Sequence, residues 1–285
     1  MRMKTLLLLL SCSFWATHVH AQDETEWRAV DPERLVVMTL DAGVVFLELN
    51  STFAPATVTQ FKRLVREGFY DGLSFYRVIE GFVAQGGDGS DMGNANSEPT
   101  IKGEFERKLT ASLPFTSVQK PDMFAAETGF SDGFAAARDP REGTAWLTHC
   151  PGTLAMARLN EADTSSTDFY IVIGQAPRYL DRNMNIFGRV VLGMDIVQRI
   201  RRGAASEGGM LSETDTRTAI TSVRIAADIA PSERPAVEVM DTDSAAFAAM
   251  LESRRHRVHE FFQHTPAPVL DVCQVPNAGR LLSAN

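Results

Sequence analysis

A mainly β chain, folded as a closed barrel whose ends are capped by helices, is the architecture that this sequence predicts. Three observations lead there. Short runs rich in Val, Leu, Ile and Phe recur between Leu35 and Asp228, separated by Gly-, Asp- and Pro-bearing turns. Only two stretches within that span repeat apolar residues at helical spacing. There is no internal period and no low-complexity tract longer than a loop, so a repeat array is not indicated, and many strands with two helices suit a capped barrel.

The chain begins with an export pattern. Arg2 and Lys4 form a basic start, Leu6 to Ala16 an apolar core, and Val19-His20-Ala21 a small-residue cleavage site, so residues 1–21 read as a signal peptide and the mature chain starts at Gln22. Leu9-Leu10-Ser11-Cys12 offers a rival lipoprotein site that would leave a lipid anchor on Cys12. The apolar core is too short to span a bilayer and no later run is longer, so the expected product is exported, periplasmic and without a membrane span. The formal charge of −8 becomes more negative by two when Arg2 and Lys4 are shed, and such a surface repels nucleic acid. Residues 22–285, with 44% hydrophobic content over the whole chain, suffice for one large domain and an appendage; a monomer is expected.

After a lead-in at 22–34, Leu35 to Leu40 and Val44 to Leu49 flank Asp41-Ala42-Gly43 and read as a hairpin. Pro55 suits a first helical turn, and Val58, Phe61, Leu64 and Val65 continue at helical spacing until Gly68. Leu73 to Val78 and Phe82 to Gln85 read as strands, as do later runs at Phe169 to Ile173, Phe187 to Val191 and Ser222 to Ala226. Met194, Val197 and Ile200 predict a second short helix.

The stretch from Phe75 to Asp88, FYRVIEGFVAQGGD, places a cation, an aromatic ring and an amide at fixed spacing. It resembles the active-site strand of the cyclophilins, the proline-isomerase family whose signature is F-x-R-x-I-x-G-F-x-x-Q-G-G-D. Three further segments follow in family order. Pro151 to Arg158, PGTLAMAR, is similar to G-x-L-x-M-A-N and precedes Thr167-Asp168-Phe169-Tyr170-Ile171, which is similar to S-Q-F-F-I. Tyr179 to Val190, YLDRNMNIFGRV, is similar to W-L-D-G-x-H-x-x-F-G-x-V. The resemblance implies an eight-stranded antiparallel barrel with a helix over each mouth, spanning 35–230. It also implies peptidyl-prolyl cis-trans isomerase activity on proline-containing unfolded or extended polypeptides, with no cofactor.

Carried over by position, Arg77, Phe82 and Gln85 are the catalytic candidates. Val83, Ala157, Arg158, Asp168, Tyr170, Tyr179, Leu180 and Met184 are the substrate-binding ones. Five positions depart from the family pattern: Arg158 for Asn, Asp168 for Gln, Tyr170 for Phe, Tyr179 for Trp and Met184 for His. Tyr170 and Met184 keep the seat apolar. Asp168 introduces an anion that is expected to pair with Arg158 or with Arg77. The chemistry needs no nucleophile or metal: Arg presents donors at every working pH, and the twisted prolyl amide exposes a nitrogen lone pair to accept from it.

Residues 106–148 have no counterpart in the minimal family. Pro114, Pro121, Gly129, Gly133, Pro140 and Gly143 make them read as a long loop insertion, anchored by Phe115, Phe124, Phe130, Phe134 and Trp146 and expected to flank the groove or to pack as a cover. A C-terminal extension, 231–285, begins with a linker at Pro231 to Pro235. It continues as a helix over 244–262, capped by Thr242 or Asp243, whose face of Phe247, Met250, Leu251, Val258 and Phe261 is expected to dock on the barrel. His256, His259 and His264 lie among arginines without thiol partners and read as a solvated face, with no metal. Asp88 to Asn94 has the look of a calcium loop, yet Met92 occupies a ligand position and Pro99, beyond it, the one that needs a Glu, so it reads as a glycine-rich turn.

Two cysteines survive processing, Cys150 and Cys273, and an oxidising compartment predicts that they are bridged, the alternative being two separate thiols. The expected function is an exported isomerase that assists the folding of secreted proteins. The competing reading is a catalytically weak proline-peptide-binding holdase, and a weaker third is a structural envelope protein that keeps only the barrel.

Overall fold

Period-two alternation builds the barrel. The computed structural model describes residues 26–89, 97–212 and 216–282. Its strands in chain order are β1 (Trp27–Ala29), β2 (Leu35–Leu40), β3 (Gly43–Leu49), β4 (Ser74–Val78), β5 (Val83–Gly87), β6 (Arg107–Lys108), β7 (Thr116–Gln119), β8 (Glu127–Ser131), β9 (Phe134–Asp139), β10 (Thr144–Leu147), β11 (Thr153–Met156), β12 (Phe169–Val172), β13 (Ile186–Leu192), β14 (Thr218–Ile225), β15 (Val237–Met240) and β16 (Gly279–Leu281). The α-helices are α1 (Pro55–Arg66), α2 (Met194–Val197) and α3 (Ala245–Arg255). Eight strands close antiparallel in the order β11-β12-β5-β4-β14-β2-β3-β13, with β13 pairing back to β11.

On β2, Val36, Met38 and Leu40 point into the barrel, and on β3 so do Val45, Leu47 and Leu49. Their neighbours Leu35, Phe46 and Val37 face a second apolar cluster outside. Helix α1 starts at Pro55, which lacks the N–H that a first turn cannot use. The Glu104 carboxylate, 47 residues away, accepts from the N–H groups of Ala56 and Thr57 at 2.9 Å and so caps that helix. Phe61 and Leu64 on α1 plug one mouth, with the Phe61 ring 5.0 Å from Phe187 and 5.1 Å from Tyr70. The second predicted helix is the single turn α2, at the other end of β13.

The insertion is not a loop. Residues 107–147 form a five-stranded antiparallel sheet in the order β6-β10-β9-β8-β7. One face, with Phe134, Ala136, Ala145 and Leu147, packs against the outer wall of the barrel at Ala155, Tyr170, Val172 and Ile186. Burial between two layers makes strands of a segment whose prolines and glycines suggest a loop.

The C-terminal extension differs from expectation as well. Helix α3 is capped by Ser244, whose Oγ accepts from the Phe247 N–H at 3.1 Å, rather than by Thr242 or Asp243. It ends at Arg255, with Arg254 and Arg255 in a last turn that favours cations. Phe247 and Leu251 dock on the inserted sheet, where the Phe247 ring meets Phe130 edge-on at 5.3 Å, and not on the barrel. Val258 and Phe261, beyond the helix, are 93% and 77% exposed. The extension does reach the barrel through β15, whose Val237 and Val239 join the cluster around Leu35 and Phe46. Strand β15 pairs with both β1 and β16, so the lead-in and the tail share one three-stranded sheet.

Cys150 and Cys273 are disulfide-bonded across 123 residues of sequence. A loop of that length is worth about 5 kcal/mol in the chain-entropy picture. The bridge ties the extension to the chain just before β11. Among the described residues no helix is long and apolar enough to cross a membrane. The export signal, Cys12 and most of the glycine-rich turn at 88–94 lie outside the described residues.

Candidate active site

The site is built on β4, β5 and β12, three adjacent barrel strands. A register shift between Phe75 and Arg77 interrupts the β4–β5 ladder, leaving Tyr76 as an extra residue. Such a bulge twists the strand and re-aims its side chains. Both Tyr76 and Arg77 therefore reach Gln85 on β5. Arg77 Nη1 donates to Gln85 Oε1 at 3.1 Å, and Gln85 Nε2 donates to the Tyr76 hydroxyl at 2.7 Å. Gln85 and Tyr76 are buried while Arg77 is half-buried, so a fixed amide holds the guanidinium at the surface. Strict alternation would put Tyr76 on the opposite face from Arg77; the bulge overrides it.

Beside Arg77 lies a cavity of about 150 Å³ lined by Arg77, Phe82, Val83, Gln85, Ala157, Arg158, Tyr170, Leu180 and Met184. Val83, Ala157 and Tyr170 form its buried floor, and Phe82, Leu180 and Met184 its partly buried rim. A protein cavity of roughly this size can hold a benzene-sized ring, so a pyrrolidine ring is within its capacity. Gly174 lets the rim close in: a Cβ there would sit 1.9 Å from the Gly81 carbonyl oxygen, at the turn that presents Phe82. The inserted sheet shares the apolar cluster that contains Phe82, Val83, Tyr170 and Met184, so it backs the cavity directly.

Two of the expected site residues stand apart. Asp168 is fully buried and does not line the cavity. Its Oδ1 accepts from the Gly89 N–H at 3.0 Å, and it occupies the space where a Cβ on Gly87 would fall, 1.8 Å from that oxygen. It forms no ion pair with Arg77 or Arg158; β12 begins only at Phe169, so the alternation that places Tyr170 does not extend back to it. Tyr179 is 70% exposed on the short helical turn Arg178–Leu180, outside the cavity.

Behind the cavity lies a network that composition does not reveal. His149 is fully buried, with Nδ1 3.0 Å from Asp181 Oδ1 and Nε2 2.9 Å from the Tyr170 hydroxyl. A carboxylate only accepts here, so Nδ1 carries a proton, and in the neutral imidazole Nε2 accepts from Tyr170. Burial pushes the Tyr170 hydroxyl well above the ordinary tyrosine range, and the nearby Asp181 charge adds to that, so it stays a donor. Asp181 also accepts from Arg178 Nε at 2.6 Å. A Phe at position 170 would leave His149 Nε2 without this donor. Among the described residues no three His, Cys, Asp or Glu side chains gather as a metal site.

Comparison with known proteins places the chain in a family. Residues 35–226 match the family model of the cyclophilin type peptidyl-prolyl cis-trans isomerases. The chain belongs to that family. A probable peptidyl-prolyl cis-trans isomerase of Brucella suis is 34% identical over 188 residues, covering 66% of this chain and 81% of the relative. Peptidyl-prolyl cis-trans isomerase A of Dickeya dadantii is 30% identical over 171 residues, covering 58% of this chain and 70% of the relative. The crystal structure of a cyclophilin from Hirschia baltica superposes with a TM-score of 0.77 at 28% identity and covers 96% of this chain and all of its own. That cyclophilin therefore matches the inserted sheet and the C-terminal extension too, not the barrel alone.

Proposed function

We propose that this cyclophilin catalyses cis–trans rotation of Xaa-Pro bonds in exported polypeptides, acting as a monomer with Arg77 as the catalytic residue. The observation that carries the reading is a guanidinium held by Gln85 at the edge of an apolar cavity of pyrrolidine size. Amide resonance sets a barrier of about 20 kcal/mol, and rotation breaks it by making the prolyl nitrogen pyramidal, with a lone pair free to accept. Phe82, Val83, Tyr170, Leu180 and Met184 seat the ring. Arg77 donates to the nitrogen of the twisted amide, an acceptor that the planar ground state lacks. Stabilisation confined to the twisted state is what lowers a barrier.

The Cys150–Cys273 bridge and the signal-like N-terminus support an oxidising, periplasmic setting. The cavity is complete within one chain, which supports a monomer. The test is the cis-to-trans relaxation of a short Xaa-Pro peptide with the purified protein and with Arg77→Ala. Acceleration by the wild type that disappears in a folded variant establishes the reading; binding without acceleration moves it to a proline-peptide holdase.

A further inference from the structure

The groove carries two guanidiniums, and neither meets a carboxylate among the described residues. We propose that Arg158, together with Arg77, makes the groove selective for Xaa-Pro segments that have an acidic side chain adjacent to the proline. The inference rests on the cavity being a proline site, and it adds the charge of the client.

Arg158 stands where the family pattern has a neutral Asn, and its head is fixed in place. Nε donates to the Asn183 carbonyl at 3.0 Å, Nη1 donates to those of Leu159 and Asn160 at 2.8 and 2.9 Å, and the guanidinium lies 5.7 Å over the Phe105 ring. Carbonyls and a ring orient the cation without neutralising it. Nη2 makes no hydrogen bond among the described residues, so one donor edge stays open. No carboxylate among the described residues lies within 4.0 Å of Arg158 or Arg77. Arg63, Arg66, Arg182, Arg199, Arg202 and Arg224 each have one, whereas Arg217 and Arg234 are, like Arg158, held by carbonyls alone; what sets Arg77 and Arg158 apart is that both line a cavity. Asp168 is the anion that sequence places nearest, and it is turned away under Gly89.

Both cations line one small cavity whose other walls are mostly apolar. Such walls lower the local dielectric and strengthen the attraction for an incoming carboxylate. The planar fork of Arg matches a carboxylate in geometry as well as in sign. Because the guanidinium is already ordered, binding does not have to restrict its rotamers, which is where exposed ion pairs lose most of their gain.

The experiment uses pairs of short proline peptides that differ only in Glu against Gln, immediately before the proline in one pair and immediately after it in the other. The readout is the Glu/Gln ratio of kcat/KM for the wild type and for Arg158→Gln, at low salt and at about 0.5 M NaCl. The expected wild-type ratio is roughly two to five in one of the two positions, falling towards one at high salt and in the variant. A ratio of one or below at both positions, or one that Arg158→Gln leaves unchanged, overturns the proposal. If Arg158→Gln does not fold, the family residue replaces it in Arg158→Asn, and the wild-type salt series tests the charge dependence by itself. If the wild type accelerates neither peptide, the isomerase reading fails, and calorimetric Kd values for the same pairs then decide the charge preference. Tighter Glu binding upholds it; equal binding, or none, overturns it.

Discussion

Arginine plays opposite parts in two regions of this molecule. Where the three sheets meet, Glu48 on β3 is fully buried and takes Arg28 of β1 at 2.7 Å, Arg34 at 3.3 Å and Arg189 of β13 at 2.9 Å. Asp132, between β8 and β9, adds a second anion 2.7 Å from Arg34. At the groove, Arg77 and Arg158 touch an amide, carbonyls and a ring but no anion among the described residues. Charges that a fold buries for its own assembly are compensated inside the chain, since an uncompensated one would oppose folding. Those left uncompensated at a half-buried cavity are available to a ligand. Pairing separates these two groups of arginines, although not all others: Arg217 and Arg234, away from the cavity, are also held by carbonyls alone among the described residues.

The largest effect should come from breaking the junction. Glu48→Gln removes the anion from three guanidiniums, and urea unfolding is expected to show a loss of about 3 to 5 kcal/mol. The isomerase rate per folded molecule should be unchanged, because Glu48 lies outside the cavity lining. A rate that falls together with stability would erase the contrast. Arg77→Ala should do the reverse. Loss of the donor is expected to lower kcat/KM by about 10² to 10³, while stability falls by about 1 kcal/mol through the lost Gln85 contact.

Acid sharpens the comparison. Burial alone would raise the Glu48 carboxyl, but Arg189, Arg28 and Arg34 outweigh it and hold the group below its ordinary value of 4.5. A carboxylate whose folded pKa is depressed contributes stability that is fully present above its unfolded value and is lost as pH falls through the folded one. Wild-type stability should therefore drop more steeply than that of Glu48→Gln as pH is lowered from 5 towards 3. Urea midpoints at each pH give the difference, and parallel profiles would show that the junction does not titrate as described.

Legibility in the sequence followed local physics. The barrel strands could be read because alternation is a local property: Val36, Met38 and Leu40 announce an inward face without knowledge of partners. The same holds for the nine cavity residues, which sit in four short motifs at family spacing. What could not be read depends on distant partners. Ala135, Ala136 and Ala137 have weak strand preference, and β9 exists because the barrel wall lies on one side and α3 beyond the other. A bulge reaching Tyr76, a strand starting one residue after Asp168, and a His149–Asp181 contact across 32 residues leave no pattern in the chain.

The smallest effect tests the wall between the two regions. Tyr170→Phe restores the ring that the family usually carries, keeps the cavity apolar, and removes only the hydroxyl that donates to His149. His149 Nε2 is then buried without that donor, although Asp181 and Arg178 still hold the other side of the ring. Leaving one buried acceptor unsatisfied costs about 1 to 3 kcal/mol. The cost here should fall at the low end, since the Nδ1 bond to Asp181 continues to fix the imidazole. The expected result is a stability loss of about 1 kcal/mol with kcat/KM for a short proline peptide within about twofold of the wild type. A tenfold loss of activity would instead mean that the His149 network positions the cavity floor for catalysis, and the division between structural and functional polar groups would then run through Tyr170 itself.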